Sequence, residues 1–146
     1  MPAWYYGDTL PLPRGIIALL RQGVVRETMR KDDDYLRELL FELEAADAWV
    51  HYIDCHEDDA ESCKRYYHAL LLADAGALAV SGPNLDSFRI RDQGYTLIGV
   101  MRDETAWRKL RSVARAAGAR GVVALVAAAE AYAVAQMKAA LGLPSD

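Results

Sequence analysis

A chain of 146 residues, 53% hydrophobic and 26% charged, has the length of one ordinary domain and enough apolar content for a core without disulfides or metal. This composition excludes a wholly disordered chain, and a formal net charge of -4 argues against a generic polyanion binder, which is normally basic. The charge is unevenly spread: residues 1–30 carry four Arg against two acids, residues 31–80 four bases against thirteen acids, and residues 81–146 nine bases against six acids.

The first thirteen residues mix Trp4, Tyr5 and Tyr6 with three prolines. Pro11 and Pro13 disfavour helix and predict an extended arm, whose aromatics would pack on the body or on a second subunit. No basic stretch leads into an apolar one, so no secretory signal is read here, and a cytoplasmic protein is expected. Ile16, Ile17, Leu19, Leu20 and Val24 give a short helical stripe weakened by Gly15 and Gly23. Asp32, Asp33 and Asp34 start the next helix with acids where the macrodipole favours them. Leu36, Leu39, Leu40 and Leu43 then recur at helical spacing.

Residues 49–53 are short and β-prone. Asp58 or Asp59 caps the following helix, which places Tyr67, Leu70 and Leu71 on one face and stops at Gly76. Leu78, Ala79 and Val80 read as a strand, residues 81–84 as a turn, and Phe88, Arg89 and Ile90 as the return strand. Asp92 is placed to cap a short helix through Val100. Asp103 is placed to cap a longer one carrying Trp107, Leu110 and Val113 and ending at Gly118. The last helix, about residues 120–141, aligns Val122, Leu125, Val126, Ala129, Tyr132, Ala133, Met137 and Leu141 roughly along one face. It is Ala-rich and contains Glu130, Gln136 and Lys138, which leaves it marginal for crossing a bilayer. No membrane association is expected.

The expected fold is therefore α+β and mostly helical. A helix placed directly before a two-stranded hairpin is the arrangement of a winged helix, a helix-turn-helix relative whose hairpin is the wing. The expected organisation is an N-terminal arm and short helix over residues 1–28, a winged-helix-like domain over 29–115, and a C-terminal helix over 116–146.

Three blocks carry a family resemblance. MRKDDDYLRELLFELE (residues 29–44) resembles the pattern R-D-x-D-x-I-R-x-I-L-x-x-I-E. YYHALLLADAGAL (residues 66–78) is similar to Y-H-x-x-L-L-x-x-A-G-x-I. FRIRDQGYTLIGVMRDETAW (residues 88–107) resembles I-x-L-T-x-x-G-H-x-F-L-D-x-I-R-x-D-x-x-W, with Gly94, Arg102, Asp103 and Trp107 on the pattern. These are the blocks of domain of unknown function 2513, a family of small bacterial and phage proteins. Arg91 stands where that family has Thr, and Tyr95 where it has His. Residues 1–28 lie outside the pattern. The resemblance implies a winged-helix fold and no mechanism.

Four chemistries compete for the remaining residues. His51, Cys55, His56, Cys63 and His68 fall within eighteen residues. Zinc, however, needs four converging N/S ligands, and Cys55 and Cys63 are eight apart, outside the usual pairing. No metal is expected: Cys63 reads as a small packing hydrophobe and His68 as bonding locally under the hairpin. Two cysteines also make no disulfide framework. A nucleophilic Cys63–His68 pair needs a depressed thiol pKa, and Glu57, Asp58, Asp59 and Glu61 push it the other way. No nucleophile elbow, phosphate loop or dinucleotide fingerprint is present, so neither enzymatic activity nor a cofactor is expected.

For double-stranded DNA, the helix before the hairpin would enter the major groove. Lys64 and Arg65 would contact the duplex from that helix, and Arg89 and Arg91 from the wing. On the wing side and beyond, Arg89, Arg91, Arg102, Arg108, Lys109, Arg111, Arg115 and Arg120 outnumber Asp86, Asp92, Asp103 and Glu104. The plainer reading is that these arginines are solvated or pair with the acidic helix. Finally, the C-terminal helix predicts a homodimer through Leu125, Ala129, Tyr132 and Met137. Two functions follow. The first, favoured because winged helices so often bind DNA, is a dimeric bacterial or phage DNA-binding transcriptional regulator. The other is a phage or mobile-element interaction module, an anti-defence or adaptor protein, whose acidic face of Glu57, Asp58, Asp59 and Glu61 binds a basic protein partner.

Overall fold

The computed structural model describes Tyr5–Tyr6, Leu10–Pro11 and residues 30–116 and 121–144. The expectations for Trp4, for the stripe from Ile16 to Val24, for Met29 and for the stop at Gly118 lie outside these residues. The order is β1 (Tyr5–Tyr6), β2 (Leu10–Pro11), α1 (Asp33–Ala45), β3 (His51–Tyr52), α2 (Ala60–Asp74), β4 (Leu78–Ser81), β5 (Ser87–Ile90), α3 (Asp92–Met101), α4 (Glu104–Ala116) and α5 (Gly121–Ala140). The described residues are thus α+β and mostly helical. β1 and β2 form a two-residue antiparallel ribbon, and β3, β5 and β4 an antiparallel sheet in that order.

Local chemistry accounts for most boundaries. The Asp32 carboxylate accepts from the N–H groups of Asp34 and Tyr35 at 3.1 and 3.2 Å and caps α1. Asp59 caps α2 through Glu61 and Ser62. Asp103 caps α4 through Thr105 and Ala106. Each satisfies amide donors that have no partner inside the helix. At the far end of α2, Gly76 takes φ +84°. Its N–H reaches Ala73 O and that of Ala77 reaches Leu72 O, the paired bonds of a Schellman stop that only glycine adopts without strain.

Two local expectations are corrected. Arg91 is the N-cap of α3, with no side-chain cap bond, and Asp92 is the first helical residue. The position is held by tertiary structure instead: the Arg91 N–H donates to Ala77 O at 3.0 Å, which locks the helix start to the strand. On α2 the buried residues are Cys63, Tyr66, His68, Ala69, Leu70 and Leu72, whereas Tyr67 and Leu71 are only half-buried. α2 packs against α1, β4 and α5 at once, so burial runs around the helix instead of along one face.

The core joins Leu36, Leu39, Leu40 and Leu43 of α1 to Tyr66 and Leu70 of α2, Phe88 of β5, Leu97 and Ile98 of α3, Trp107 and Leu110 of α4, and Leu125 of α5. Tyr66 meets Phe88 edge-on, with ring centroids 6.0 Å apart. Its hydroxyl donates to Leu85 O at 2.7 Å, fastening the hairpin turn to α2. Arg37 donates to Met101 O from both Nε and Nη2, at 3.1 and 2.7 Å, satisfying a carbonyl at the end of α3.

α1 and α2 are joined by residues 46–59, which contain β3. A helix-turn-helix unit needs a turn of three or four residues between its helices. One helix, α2, separates β3 from β4.

Candidate functional site

The cations expected on the helix before the hairpin are held against α1. Lys64 Nζ lies 3.9 Å from the Asp32 carboxylate and 4.5 Å from the centre of the Tyr35 ring. Arg65 Nη1 donates to Glu42 at 2.7 Å. Both side chains are about one-third exposed. The same pattern repeats across the molecule: Arg111 pairs with Asp33 and Asp34, Arg102 with Glu44, and Arg37 with Glu104. The carboxylates of α1 and several of these cations therefore neutralise each other internally, as the plainer reading of those arginines anticipates for part of the set.

Arg89 and Arg91 differ. Both are exposed, and neither has an ion-pair partner among the described residues. Arg89 sits on β5 between the inward-facing Phe88 and Ile90, so the pleat turns it to the outer face of the sheet. The four proposed nucleic-acid contacts thus fall into two unlike pairs, Lys64 and Arg65 bound to α1, and Arg89 and Arg91 open.

Glu57, Asp58, Asp59 and Glu61 are all exposed, and among the described residues none has a cation within 4 Å. They lie on a segment closed by a disulfide between Cys55 and Cys63, eight residues apart. This corrects the reading of Cys63 as a free packing thiol. Residue 55 follows β3 and residue 63 lies on the buried side of the first turn of α2, so the cap at Asp59 folds the connection back and brings the two together. Cys63 is fully buried. Sequence reasoning missed the bridge because it asked whether two cysteines make a framework; a cysteine on each side of a helix cap was the available signal. Beside this loop, α1 and α2 enclose an open groove of about 430 Å³ lined by Tyr35, Glu38, Leu39, Glu42, Asp59, Glu61, Ser62 and Arg65. The Tyr35 hydroxyl donates to Glu61 at 3.1 Å. Burial, and then the Glu61 charge, push the phenol up to about 12. Arg65 thus shares its groove with Asp59 and Glu61.

The histidines do not converge. His68 is fully buried. Its Nε2 accepts from the Asp32 N–H at 3.0 Å and its Nδ1 lies 2.7 Å from Lys64 O. A carbonyl only accepts, so the proton sits on Nδ1 and the ring is neutral. It ties α2 to the start of α1, and not to the underside of the hairpin. Burial lowers its pKa below the usual 6.5. Burial and then Arg65 lower that of His51. Among the described residues no three His, Cys, Asp or Glu side chains are grouped to hold a metal. With both cysteines bonded to each other, no thiol nucleophile is present.

On α5, Leu125 and Ala129 are fully buried within the domain, packed toward α3 and α4. They line no outward seam, which corrects their assignment to a dimer interface. Tyr132 is half-buried and Met137 is exposed. The expected single face ends where the helix leaves the domain.

Comparison with family models, with curated proteins and with solved structures finds no match.

Proposed function

We propose that this protein is a binding module, not an enzyme, that takes a basic segment of a partner protein on the acidic loop and adjoining α1–α2 groove. The observation that carries this reading is the disulfide-closed segment with exposed Glu57, Asp58, Asp59 and Glu61, which have no ion-pair partner among the described residues. Unpaired charges held on a closed loop attract an oppositely charged partner at low entropic cost. The Arg65–Glu42 pair within the groove supplies a carboxylate that an incoming Arg or Lys can take over. Titration of a labelled Arg/Lys-rich peptide, followed by fluorescence anisotropy, tests it. Saturable binding that weakens with salt is expected, and no binding at low ionic strength ends the proposal.

A second reading, a winged-helix DNA-binding regulator, is favoured by the sheet order β3–β5–β4 and by the open Arg89 and Arg91. The resemblance to domain of unknown function 2513 belongs with it. Here the duplex would meet the hairpin side and not α2. The same titration with mixed-sequence duplex separates the two: DNA binding that is weakened in Arg89→Ala and Arg91→Ala supports the regulator.

A further inference from the structure

Away from the acidic loop, the start of α1, α2, α4 and the start of α5 enclose two cavities. The first, about 320 Å³, gathers five cations, Arg30, Lys31, Lys64, Arg111 and Arg115, against two carboxylates. The second, about 390 Å³, is walled by Leu71, Ala114, Val122 and Val123, with Tyr67 and Asp74 among its polar groups. Lys31, Asp33 and Arg115 line both, so the two adjoin. Both are half-open to solvent, so one ligand can lie across their boundary. The Lys31 stem rests on the start of α5, where a Cβ on Gly121 would meet its Cδ at 3.4 Å. Each cavity is of a size that small-ligand sites occupy.

The cations of the first cavity are only partly neutralised. Lys31 Nζ is 3.0 Å from Asp33, Lys64 Nζ is 3.9 Å from Asp32, and Arg111 pairs with Asp33 and Asp34. Arg30 and Arg115 are exposed, and neither has an ion-pair partner among the described residues. Arg111 Nε is buried and has no hydrogen-bond acceptor among them. Two open guanidiniums thus share one concavity with three further cations, in a chain of net charge -4. An anion bound there relieves their mutual repulsion. In the second cavity the Tyr67 hydroxyl and the Asp74 carboxylate also have no hydrogen-bond partner among the described residues.

From this cleft we infer that the protein binds a small phosphomonoester with a flat, largely apolar body, the chemistry of a nucleoside monophosphate. The phosphate takes the first cavity. Its three terminal oxygens accept from Arg30 and Arg115, whose forked donors match them. A carboxylate fills only one such fork, and a phosphodiester carries a single charge, so a nucleic-acid backbone fits less well. The body lies past Arg115 against Leu71, Ala114 and Val122, and an amino group on it donates to Asp74. This cleft shares no lining residue with the α1–α2 groove, so the failure of either site leaves the other standing.

Calorimetric titration of the full chain with adenosine 5′-monophosphate, inorganic phosphate and adenosine reads the head and the body separately. Saturable binding of the monophosphate at one site per chain is expected, with a Kd on the order of 10–100 µM for a ligand of that size. Inorganic phosphate should displace it but bind at least ~10-fold more weakly, because it buries no apolar surface. Arg30→Gln and Arg115→Gln should each weaken monophosphate binding ~10-fold or more, the scale of a hydrogen bond to a charged group, at unchanged thermal melts. Lys109→Gln removes the same charge from an exposed position of α4 outside both cavities, and should leave affinity within ~2-fold. Val123→Arg, at the exposed rim of the second cavity, should cost the monophosphate its advantage over inorganic phosphate. Three results overturn the inference. One is no saturable binding of the monophosphate up to ~1 mM at low ionic strength. Another is equal weakening by Lys109→Gln and Arg115→Gln, which marks diffuse attraction. The third is a monophosphate that binds no tighter than inorganic phosphate, which leaves the apolar cavity without a role.

Discussion

Reducing the Cys55–Cys63 bridge is the sharpest perturbation of the candidate site. A cross-link restricts the unfolded chain by roughly 2.1 + 1.5R ln n cal/mol/K. With the two cysteines eight residues apart, that amounts to about 2.5 kcal/mol at 25 °C. For a domain of this size it corresponds to a fall in Tm of about 8 °C. Cys63 is fully buried, so its thiol keeps its packing after reduction and cavity formation adds little. Urea denaturation and calorimetry with and without a phosphine reductant measure the difference, and thiol titration of the unfolded chain counts the free sulfhydryls. A reduced protein within ~0.5 kcal/mol of the oxidised one refutes the reasoning, because so small an effect means that the bridge does not constrain the denatured ensemble. Reactive thiols in the untreated unfolded protein refute the bridge itself.

Two further predictions come from the packing. The pKa values of His68 and His51 are lowered in the fold, so the unfolded chain binds protons first as pH drops. Stability is full above about 6.5 and is lost as pH falls through the folded values. Urea midpoints should decline from pH 7.5 to 5.5, less steeply in His68→Phe, which also costs about 1–3 kcal/mol at pH 7.5 by orphaning the Asp32 N–H; a flat profile contradicts the neutral tautomer. At Gly94 an added Cβ would lie 2.2 Å from Ala77 O, on the same carbonyl that accepts from Arg91. Gly94→Ala should therefore cost about 3 kcal/mol or more. Gly99→Ala, which meets nothing within 4 Å, should gain about 0.5–1 kcal/mol; equal melting temperatures for the two refute the close approach.

What was legible in the chain was whatever local chemistry decides. Asp103, and Asp59 of the two candidates Asp58 and Asp59, cap helices because their side chains reach amides two and three residues on, and Asp32, expected among the first-turn acids, caps α1 in the same way. Gly76 ends α2 because the stop needs a positive φ. The hairpin follows from its turn residues. What was illegible depends on partners far along the chain. Arg111 meets Asp34 from 77 residues away and Arg37 meets Glu104 from 67, so a block-by-block charge count overstates the free charge on both sides. α2 is gripped by three elements, and no single periodicity reports that. α5 is buried at Val122, Leu125, Val126 and Ala129 over its first half and exposed at Val134 and Met137 beyond, so reading one continuous face along it assigned the core residues Leu125 and Ala129 to a dimer interface. In the candidate site the acids were visible, but the bridge that closes their loop was not.

The most direct test of the central claim compares the parent with the triple variant Glu57→Gln, Asp58→Asn, Glu61→Gln, leaving Asp59 to cap α2. Affinity for an Arg/Lys-rich peptide is measured at several salt concentrations. At ~0.3–1 kcal/mol per exposed pair, the variant should bind about 10-fold more weakly and with a shallower salt dependence, at unchanged Tm. Equal affinity and equal salt slope in the two proteins contradict the account.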